Sequence, residues 1–357
     1  MTARLRNVLL LAERPGVDDD GRSISLFLDR LESQGLATQV LCFEAGGDAE
    51  DDTRVVPCPG LESRWRQSLA VRGLRLGERI VRPDLVHALQ VTMSEAALAI
   101  AEHWRVPYVL TVDEFLRPGE RLRLSQRWCR KLVAISRGVA LELREELGIP
   151  ATLVDEIHAG IDPPQDDPQR PSSRQVPVVG TAGPLVTTSG FGTFLNAAKR
   201  VFEAGVDAEF VIAGQGEDEV DLRRKADRLK IADRVTFASI PVLGPRFWSV
   251  LDVYCQPSLT PTVGRPLATA QAFGVPSVAS DIEGLRTLVE QGVSGVRVPP
   301  GDSGALAAAL LELLADPSKA DALGKAGRAL IVREYVPEVE ARRLAALYDE
   351  ALTVLAP

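Results

Sequence analysis

The stretch LDVYCQPSLTPTVGRPLATAQAFGVPSVASDIEGLRTLVEQGVSGVRVPPGD, residues 251–302, decides the fold class of this chain. Short apolar runs at 253–256, 277–279 and 295–298 predict buried strands, and residues 265–273 predict a helix between the first two. Apolar strands separated by amphipathic helices are typical of a parallel sheet with crossover helices. The stretch therefore predicts an α/β domain.

The same alternation extends through the rest of the chain. The other predicted strands are Asn7–Ala12, Thr38–Phe43, Leu85–His87, Tyr108–Val112, Leu132–Ile135, Thr152–Ile157, Val178–Gly183, Glu209–Ala213 and Arg234–Phe237. Predicted helices include Ile24–Gln34, Ser94–Trp104, Arg137–Leu147, Gly192–Ala204, Glu217–Leu229, Leu285–Gln291, Ser303–Ala315 and Glu338–Leu355. The pattern predicts two Rossmann-like domains, each a doubly wound parallel sheet.

A change of composition marks the boundary between these domains. The stretch PPQDDPQRPSSRQVP, residues 163–177, is rich in Pro, Asp, Gln and Ser and has little to bury. We expect an N-terminal domain over 1–165, a linker over 166–177 and a C-terminal domain over 178–335. Residues 336–357 are expected to form a helix that returns to the first domain.

Ligands of open parallel sheets bind beyond the carboxyl ends of the strands. Two such domains in tandem are expected to face each other across a cleft. That arrangement suits an enzyme that holds a donor in one half and an acceptor in the other.

Composition narrows the class of protein. The 357 residues carry a formal net charge of −8, so the whole chain does not attract nucleic acid. Four scattered cysteines without metal-ligand spacing indicate free thiols in a reducing compartment. No apolar run is long enough to span a membrane. We expect a cytoplasmic protein without a bound metal or other cofactor.

One basic segment offers a surface for a partner. Residues Leu61–Arg82 contain six arginines and two glutamates, a net charge of +4. An apolar stripe on a helix here would rest on anionic lipid at the inner face of a membrane, or dock a protein. That stripe is interrupted by Arg72, Arg79, Gly73 and Gly77. A helix whose face is simply solvated is therefore favoured as much as a docking helix.

Glycines follow two predicted strands of the second domain. Gly183 and Gly190 flank the loop GPLVTTSG, and Gly214 and Gly216 follow the next strand. Glycines at strand-to-helix turns let backbone N–H groups approach an anion at the helix N-terminus, although they also serve as tight turns.

Several motifs together resemble the retaining glycosyltransferases of the GT-B fold, family 4 group. Those of the second half are VVGTAGPLVTTSGFGTFLNA (178–197), FVIAGQGE (210–217), ADRVTFAS (232–239) and the opening stretch. Fainter likenesses in the first half are PDLVHA (83–88), VPYVLTVDEF (106–115), LVAISRGV (132–139) and IHAGID (157–162). The resemblance implies a nucleotide-sugar donor bound around Gly183, Ser189, Gly190, Gly214, Gly216, Gly264, Arg265 and Thr269.

The chain departs from that family at the residues that grip the donor. An arginine and a lysine of the family are replaced by Pro184 and Ser189, and two glutamates by Pro261 and Thr269. Proline offers neither charge nor N–H, and serine offers no cation. Arg265, which directly follows Gly264, is a candidate to replace the missing clamp, with an arginine that is solvated or paired with a nearby carboxylate as the alternative.

In the first domain the family's histidine corresponds to Asp113, and the asparagine of its NGVD turn to Ala159. Asp113 is a candidate general base, with a turn carboxylate as the alternative. His87, at a strand end, is a candidate catalytic residue, with a satisfied structural histidine as the alternative. His158, beside Gly160, is a candidate for substrate contact.

Two functions stay open. The first is a diverged glycosyltransferase with an altered donor site. The second is a non-catalytic descendant that acts as a binding or scaffolding subunit. Epimerisation of a nucleotide sugar would need cleft carboxylates that the sequence does not place.

Overall fold

A computed structural model describes residues 6–15, 23–62, 71, 80–116, 122–164, 176–239 and 244–353. The chain divides into two compact units. Unit 1 comprises Met1–Gly160 together with Pro337–Pro357, and unit 2 comprises Ile161–Val336. Most of the expected linker lies outside the described residues. All four cysteines are free.

Each unit contains one parallel sheet, as predicted. In unit 1 the described strands are β1 (Arg6–Ala12), β2 (Leu36–Cys42), β3 (Val55–Pro57), β4 (Leu85–Ala88), β5 (Tyr108–Val112), β6 (Cys129–Ala134) and β7 (Val154–Glu156). In unit 2 they are β8 (Val178–Ala182), β9 (Glu209–Ala213), β10 (Val235–Ala238), β11 (Val253–Gln256), β12 (Ser277–Ser280) and β13 (Val296–Val298). The spatial orders are β3-β2-β1-β4-β5-β6-β7 and β10-β9-β8-β11-β12-β13.

The described α-helices connect or cover these strands. They are α1 (Ile24–Ser33), α2 (Ser94–Trp104), α3 (Arg137–Leu141), α4 (Phe191–Glu203), α5 (Glu219–Leu229), α6 (Pro245–Ser249), α7 (Arg265–Ala272), α8 (Ser303–Ala315), α9 (Pro317–Glu334) and α10 (Pro337–Thr353). Local chemistry explains their starts. Ser23, for example, caps α1 by accepting the N–H of Leu26 at 3.1 Å.

The C-terminal helix α10 completes the core of unit 1. Its apolar face packs with α1 and the strands, and contributes Ala341, Leu344, Leu347, Tyr348 and Ala351 to one buried cluster. Polar contacts hold it in place. Lys131 of β6, which is 8% exposed, lies 2.7 Å from Glu350 and 3.0 Å from Asp155. The backbone N–H of Gly160 donates to Glu340 at 2.9 Å.

Unit 2 has a buried cluster on each face of its sheet. One is formed with α4, α5 and α8 around Phe194, Phe210 and Leu310. The other is formed with α6, α7 and α9 around Tyr254, Leu267 and other buried side chains. Both faces of the parallel strands are therefore covered, which explains why the strands read as continuous apolar runs.

One predicted helix is wrong. Residues 285–291 form turns rather than a helix. The side-chain amide of Gln271 donates to the carbonyl of Leu288 at 2.8 Å and so occupies an acceptor that a continuing helix would use. The hydroxyl of Ser294 accepts the N–H of Glu290 at 2.8 Å, which closes the segment as a loop.

Candidate functional site

The order of strands in unit 2 defines where a ligand binds. β8 and β11 are neighbours, and the chain proceeds outward from them in opposite directions through β9 and β12. This is the topological switch point of a doubly wound sheet, where ligands bind beyond the carboxyl ends of the strands. The loops that follow β8 and β11 therefore form the candidate donor site.

Those two loops touch at Gly190. This glycine has φ of 75° and precedes α4. A Cβ placed on it would collide with the carbonyl oxygen of Pro257, the first residue after β11. The backbone N–H of Leu259 donates to the carbonyl of Thr188 at 2.8 Å. Only glycine permits both this conformation and this approach.

The glycines after β9 have the same role. A Cβ on Gly214 would collide with the carbonyl oxygen of Gly183, and one on Gly216 with the backbone of Leu185. The N–H of Leu185 donates to the carbonyl of Gln215 at 2.8 Å. The predicted glycines thus bring the loops after β8 and β9 into direct contact.

The hydroxyl groups of the loop after β8 bond within the protein. Ser189 donates to the carbonyl of Pro184 at 2.6 Å. Thr187 donates to the carboxylate of Asp218 at 2.7 Å. The two residues predicted to stand in place of the family's cations are therefore hydrogen-bonded to each other, and the carboxylate of Asp218 lies beside the same loop.

The loop between β11 and α7 carries the other replaced positions. Pro261 is exposed, and Gly264, with φ of 75°, precedes α7. The hydroxyl of Thr269 donates to the carbonyl of Arg265 at 3.0 Å, one turn earlier in the helix. Arg265 is the first residue of α7 and is partly buried. Its position at the carboxyl edge agrees with the role predicted for it, and that role stays a prediction.

Other charges of unit 2 lie around this edge. Arg286 contacts Asp281 at 2.8 Å and Glu283 at 2.7 Å, and its hydrogen bond lowers the pKa of Asp281. The ammonium of Lys225 lies 3.3 Å from where a Cβ of Gly192 would be. Burial, and secondarily the charge of Arg228, lower the pKa of Lys225.

Asp113 of unit 1 follows β5 at the carboxyl edge of the first sheet. Its carboxylate accepts the N–H of Val91 at 3.0 Å, which ties together the segments after β4 and β5. Burial raises the pKa of Asp113, and the charges of Glu114 and Glu13 add to the shift. The hydrogen bond to Val91 fits the interpretation of Asp113 as a turn carboxylate. The raised pKa fits the interpretation of Asp113 as a general base, so both alternatives stay open.

His87 lies inside unit 1 rather than at its surface. It is 0% exposed. One ring nitrogen, Nδ1, lies 2.6 Å from the hydroxyl of Tyr348, and Nε2 lies 2.8 Å from the hydroxyl of Thr111. These contacts are those of the structural alternative, because both ring nitrogens lie at hydrogen-bond distance from hydroxyl groups inside the unit.

His158 and its neighbours follow β7. The ring of His158 contacts the carbonyl of Ile135 at 3.1 Å and the carboxylate of Glu156 at 3.0 Å. The hydrogen bond from His158 lowers the pKa of Glu156. Ala159 has no polar side chain to offer a ligand.

The basic segment Leu61–Arg82 lies mostly outside the described residues. Its docking role is therefore still a prediction. Among the described residues, no helix combines the length and the apolarity that crossing a bilayer requires. The same residues contain no cluster of three His, Cys, Asp or Glu side chains suited to a metal ion.

Comparison with known families agrees with this geometry. Residues 21–165 match the model of Glycosyltransferase Family 4, and residues 176–316 match that of Glycosyl transferases group 1. Together the two models cover most of the chain.

Individual relatives are also glycosyltransferases. The chain is 28% identical to the D-inositol 3-phosphate glycosyltransferase of Segniliparus rotundus over 90% of its own length and 73% of the relative. It is 29% identical to the alpha-D-kanosaminyltransferase of Streptomyces kanamyceticus over 49% of its length. That match spans 46% of the relative, and the match to the amylovoran biosynthesis glycosyltransferase of Erwinia amylovora spans 58%. The chain thus spans about half the length of these two relatives.

Solved structures share the fold. A glycosyltransferase of Rickettsia africae has a TM-score of 0.78 at 14% identity and covers 99% of this chain and 100% of its own. Anabaena HepE in complex with UDP-glucose has a TM-score of 0.77 at 20% identity, over 96% of this chain and 99% of its own. These likenesses, with one doubly wound parallel sheet in each unit, show the GT-B fold. The chain belongs to the glycosyltransferases of that fold. Its first half matches family 4 and its second half matches group 1.

Proposed function

We propose that this chain transfers a glycosyl group from a nucleotide sugar held in unit 2, by a donor site that lacks the usual side-chain clamp. Support comes from the match to both family models and from the loops after β8, β9 and β11, which are packed through obligatory glycines. The single observation that carries the proposal is the contact of Gly190 with Pro257 at the switch point.

The altered chemistry concerns the leaving group. As the sugar departs, negative charge grows on the diphosphate, and a transferase must stabilise it with preorganised positive groups. In this chain those groups are the backbone N–H groups and dipole at the N-terminus of α7, together with the guanidinium of Arg265. Because fewer cations converge there, we expect slower transfer than in relatives with the full clamp.

A second function is favoured by one specific observation. The hydroxyl of Ser189 donates to Pro184 and that of Thr187 donates to Asp218. Both hydroxyls are therefore hydrogen-bonded within the protein without a ligand. A non-catalytic subunit, derived from a glycosyltransferase and used for binding or scaffolding, would tolerate this arrangement.

Titration calorimetry separates the two functions. UDP, GDP, ADP, UDP-glucose and GDP-mannose are titrated into the wild type, Arg265→Ala and Arg200→Ala, an exposed arginine near the far end of α4. The transferase predicts binding that Arg265→Ala weakens at least about tenfold while Arg200→Ala leaves it unchanged. Failure of the wild type to bind any nucleotide would exclude the transferase and leave the scaffolding subunit.

A further inference from the structure

Three buried polar side chains form a chain of hydrogen bonds beneath the switch point. Tyr254 is 0% exposed, Gln256 5% and Ser258 4%. The hydroxyl of Tyr254 lies 2.6 Å from Oε1 of Gln256, and Nε2 of Gln256 lies 3.0 Å from Oγ of Ser258. The first two belong to β11, and Ser258 is the second residue after it.

The lengths of the two bonds define the direction in which the protons point. A separation of 2.6 Å is typical of O–H···O, and one of 3.0 Å is typical of N–H···O. Tyr254 therefore donates to Gln256, and Gln256 donates to Ser258. Burial also raises the pKa of Tyr254, so the phenol keeps the proton that it donates.

The opposite direction is less favourable. Ser258 would then donate to Gln256, and Gln256 would donate to Tyr254 across a distance short for a nitrogen donor. Tyr254 would then donate its proton to the carbonyl of Ala182, 3.3 Å away, and would no longer donate to Gln256 at 2.6 Å.

This direction leaves the proton of Ser258 without an acceptor. As the acceptor from Gln256, its oxygen must point its own O–H elsewhere. Within the parts of the chain that the structure describes, Ser258 donates to no group. A buried hydroxyl donor that bonds nothing is costly, and native proteins rarely leave one without a partner, which is either an ordered water or a ligand.

The place of Ser258 indicates which ligand that is. It lies between Pro257, which Gly190 abuts, and Leu259, whose N–H donates to the loop after β8. We propose that Ser258 donates a hydrogen bond to an acceptor oxygen of the bound nucleotide, and that Tyr254 and Gln256 are positioning residues that direct its proton outward. This inference rests on the nucleotide-binding function proposed above and deepens it.

A double-mutant cycle tests the inference. Dissociation constants for UDP, GDP and ADP are measured for the wild type, Ser258→Ala, Tyr254→Phe and the double variant. Ser258→Ala should raise the Kd of the nucleotide that binds by about tenfold, the effect of one hydrogen bond. In Tyr254→Phe the amide oxygen of Gln256 loses its donor. The amide is then free to turn over and accept the proton of Ser258, so this variant should also raise the Kd. The double variant should bind no more weakly than Ser258→Ala.

Ser277→Ala is the matched control, because Ser277 is also buried but donates to the carbonyl of Val275 at 3.0 Å. Its Kd should equal that of the wild type. Equal Kd values for the wild type and a folded Ser258→Ala would overturn the inference and leave the proposed function intact. Additive effects in the double variant would overturn the positioning role of Tyr254. A wild type that binds none of the three nucleotides would overturn both proposals.

Discussion

The hydroxyl of Ser189 donates to the carbonyl oxygen of Pro184 at 2.6 Å, so the two residues predicted to replace the family's cations are bonded to each other. The bond closes the loop between β8 and α4 on itself. A diphosphate at this edge would meet a satisfied hydroxyl and a proline ring in place of two positive charges.

Introducing an arginine and a lysine at the two predicted clamp positions should accelerate transfer. In Pro184→Arg/Ser189→Lys, we expect the affinity for UDP-glucose and the rate of sugar transfer each to rise at least about tenfold, because both cations act on the leaving group. Calorimetry and a product assay with UDP-glucose measure the two effects. Val220→Lys, which adds charge at an exposed position of α5, is the control. A folded double variant with unchanged affinity and rate would contradict the proposed donor site.

Gly190 should be intolerant of any side chain. Gly190→Ala places a methyl group against the carbonyl oxygen of Pro257 at a φ of 75°. Gly205 has a similar φ of 82°, but nothing lies within 4 Å of where its Cβ would be, so Gly205→Ala isolates the cost of backbone strain. We expect a loss of about 1–2 kcal/mol in the free energy of unfolding for Gly205→Ala and clearly more for Gly190→Ala. Urea denaturation measures both, and equal losses would show that the two loops do not need their close contact.

Asp52 should make unit 1 sensitive to acid. Its carboxylate lies 2.6 Å from the guanidinium of Arg54, and that hydrogen bond holds the pKa of Asp52 well below its usual range. The stability that this group contributes is present above the unfolded pKa of about 3.9 and is lost as pH falls through the folded value. Wild type should therefore exceed Asp52→Asn in unfolding free energy at pH 6, and the gap should narrow below pH 4.

The control for Asp52 is Asp51→Asn, because Asp51 is exposed. It should follow the wild type across the same pH range in urea denaturation. A gap for Asp52→Asn that is constant from pH 6 to pH 2 would show that the Arg54 contact does not govern the acid response.

Tyr348→Phe should destabilise unit 1 without affecting the donor site. Removal of the hydroxyl deletes the group that lies 2.6 Å from Nδ1 of the fully buried His87, at a cost of about 1–3 kcal/mol in the free energy of unfolding. Thr111→Val tests the other ring nitrogen in the same way. Both variants should keep the wild-type Kd for UDP. Loss of transfer with unchanged stability would instead support the catalytic role predicted for His87.

Several features were predictable because their causes are local. Residues 253–256 and 277–279 form β11 and β12 close to the predicted bounds, since strands buried on both faces read as apolar runs. The edge strand Val55–Pro57 was missed because three residues carry no periodicity. Helix α9 was also missed, although Asp316 as N-cap and Pro317 at the first position are a recognisable start signal.

Residue order alone determined the class of fold, because strand periodicity and turn glycines are properties of short segments; it also predicts the absence of the donor clamp, which stays a prediction. Tertiary structure decided which polar groups are already satisfied. The hydroxyl of Ser189 is bonded to Pro184, His87 is enclosed by Tyr348 and Thr111, and Ser258 accepts a hydrogen bond from Gln256. Hydrogen-bond partners come from segments far apart in the chain, 308 positions for Arg30 and Glu338 and 261 for His87 and Tyr348, and no local pattern encodes a distance that folding alone creates.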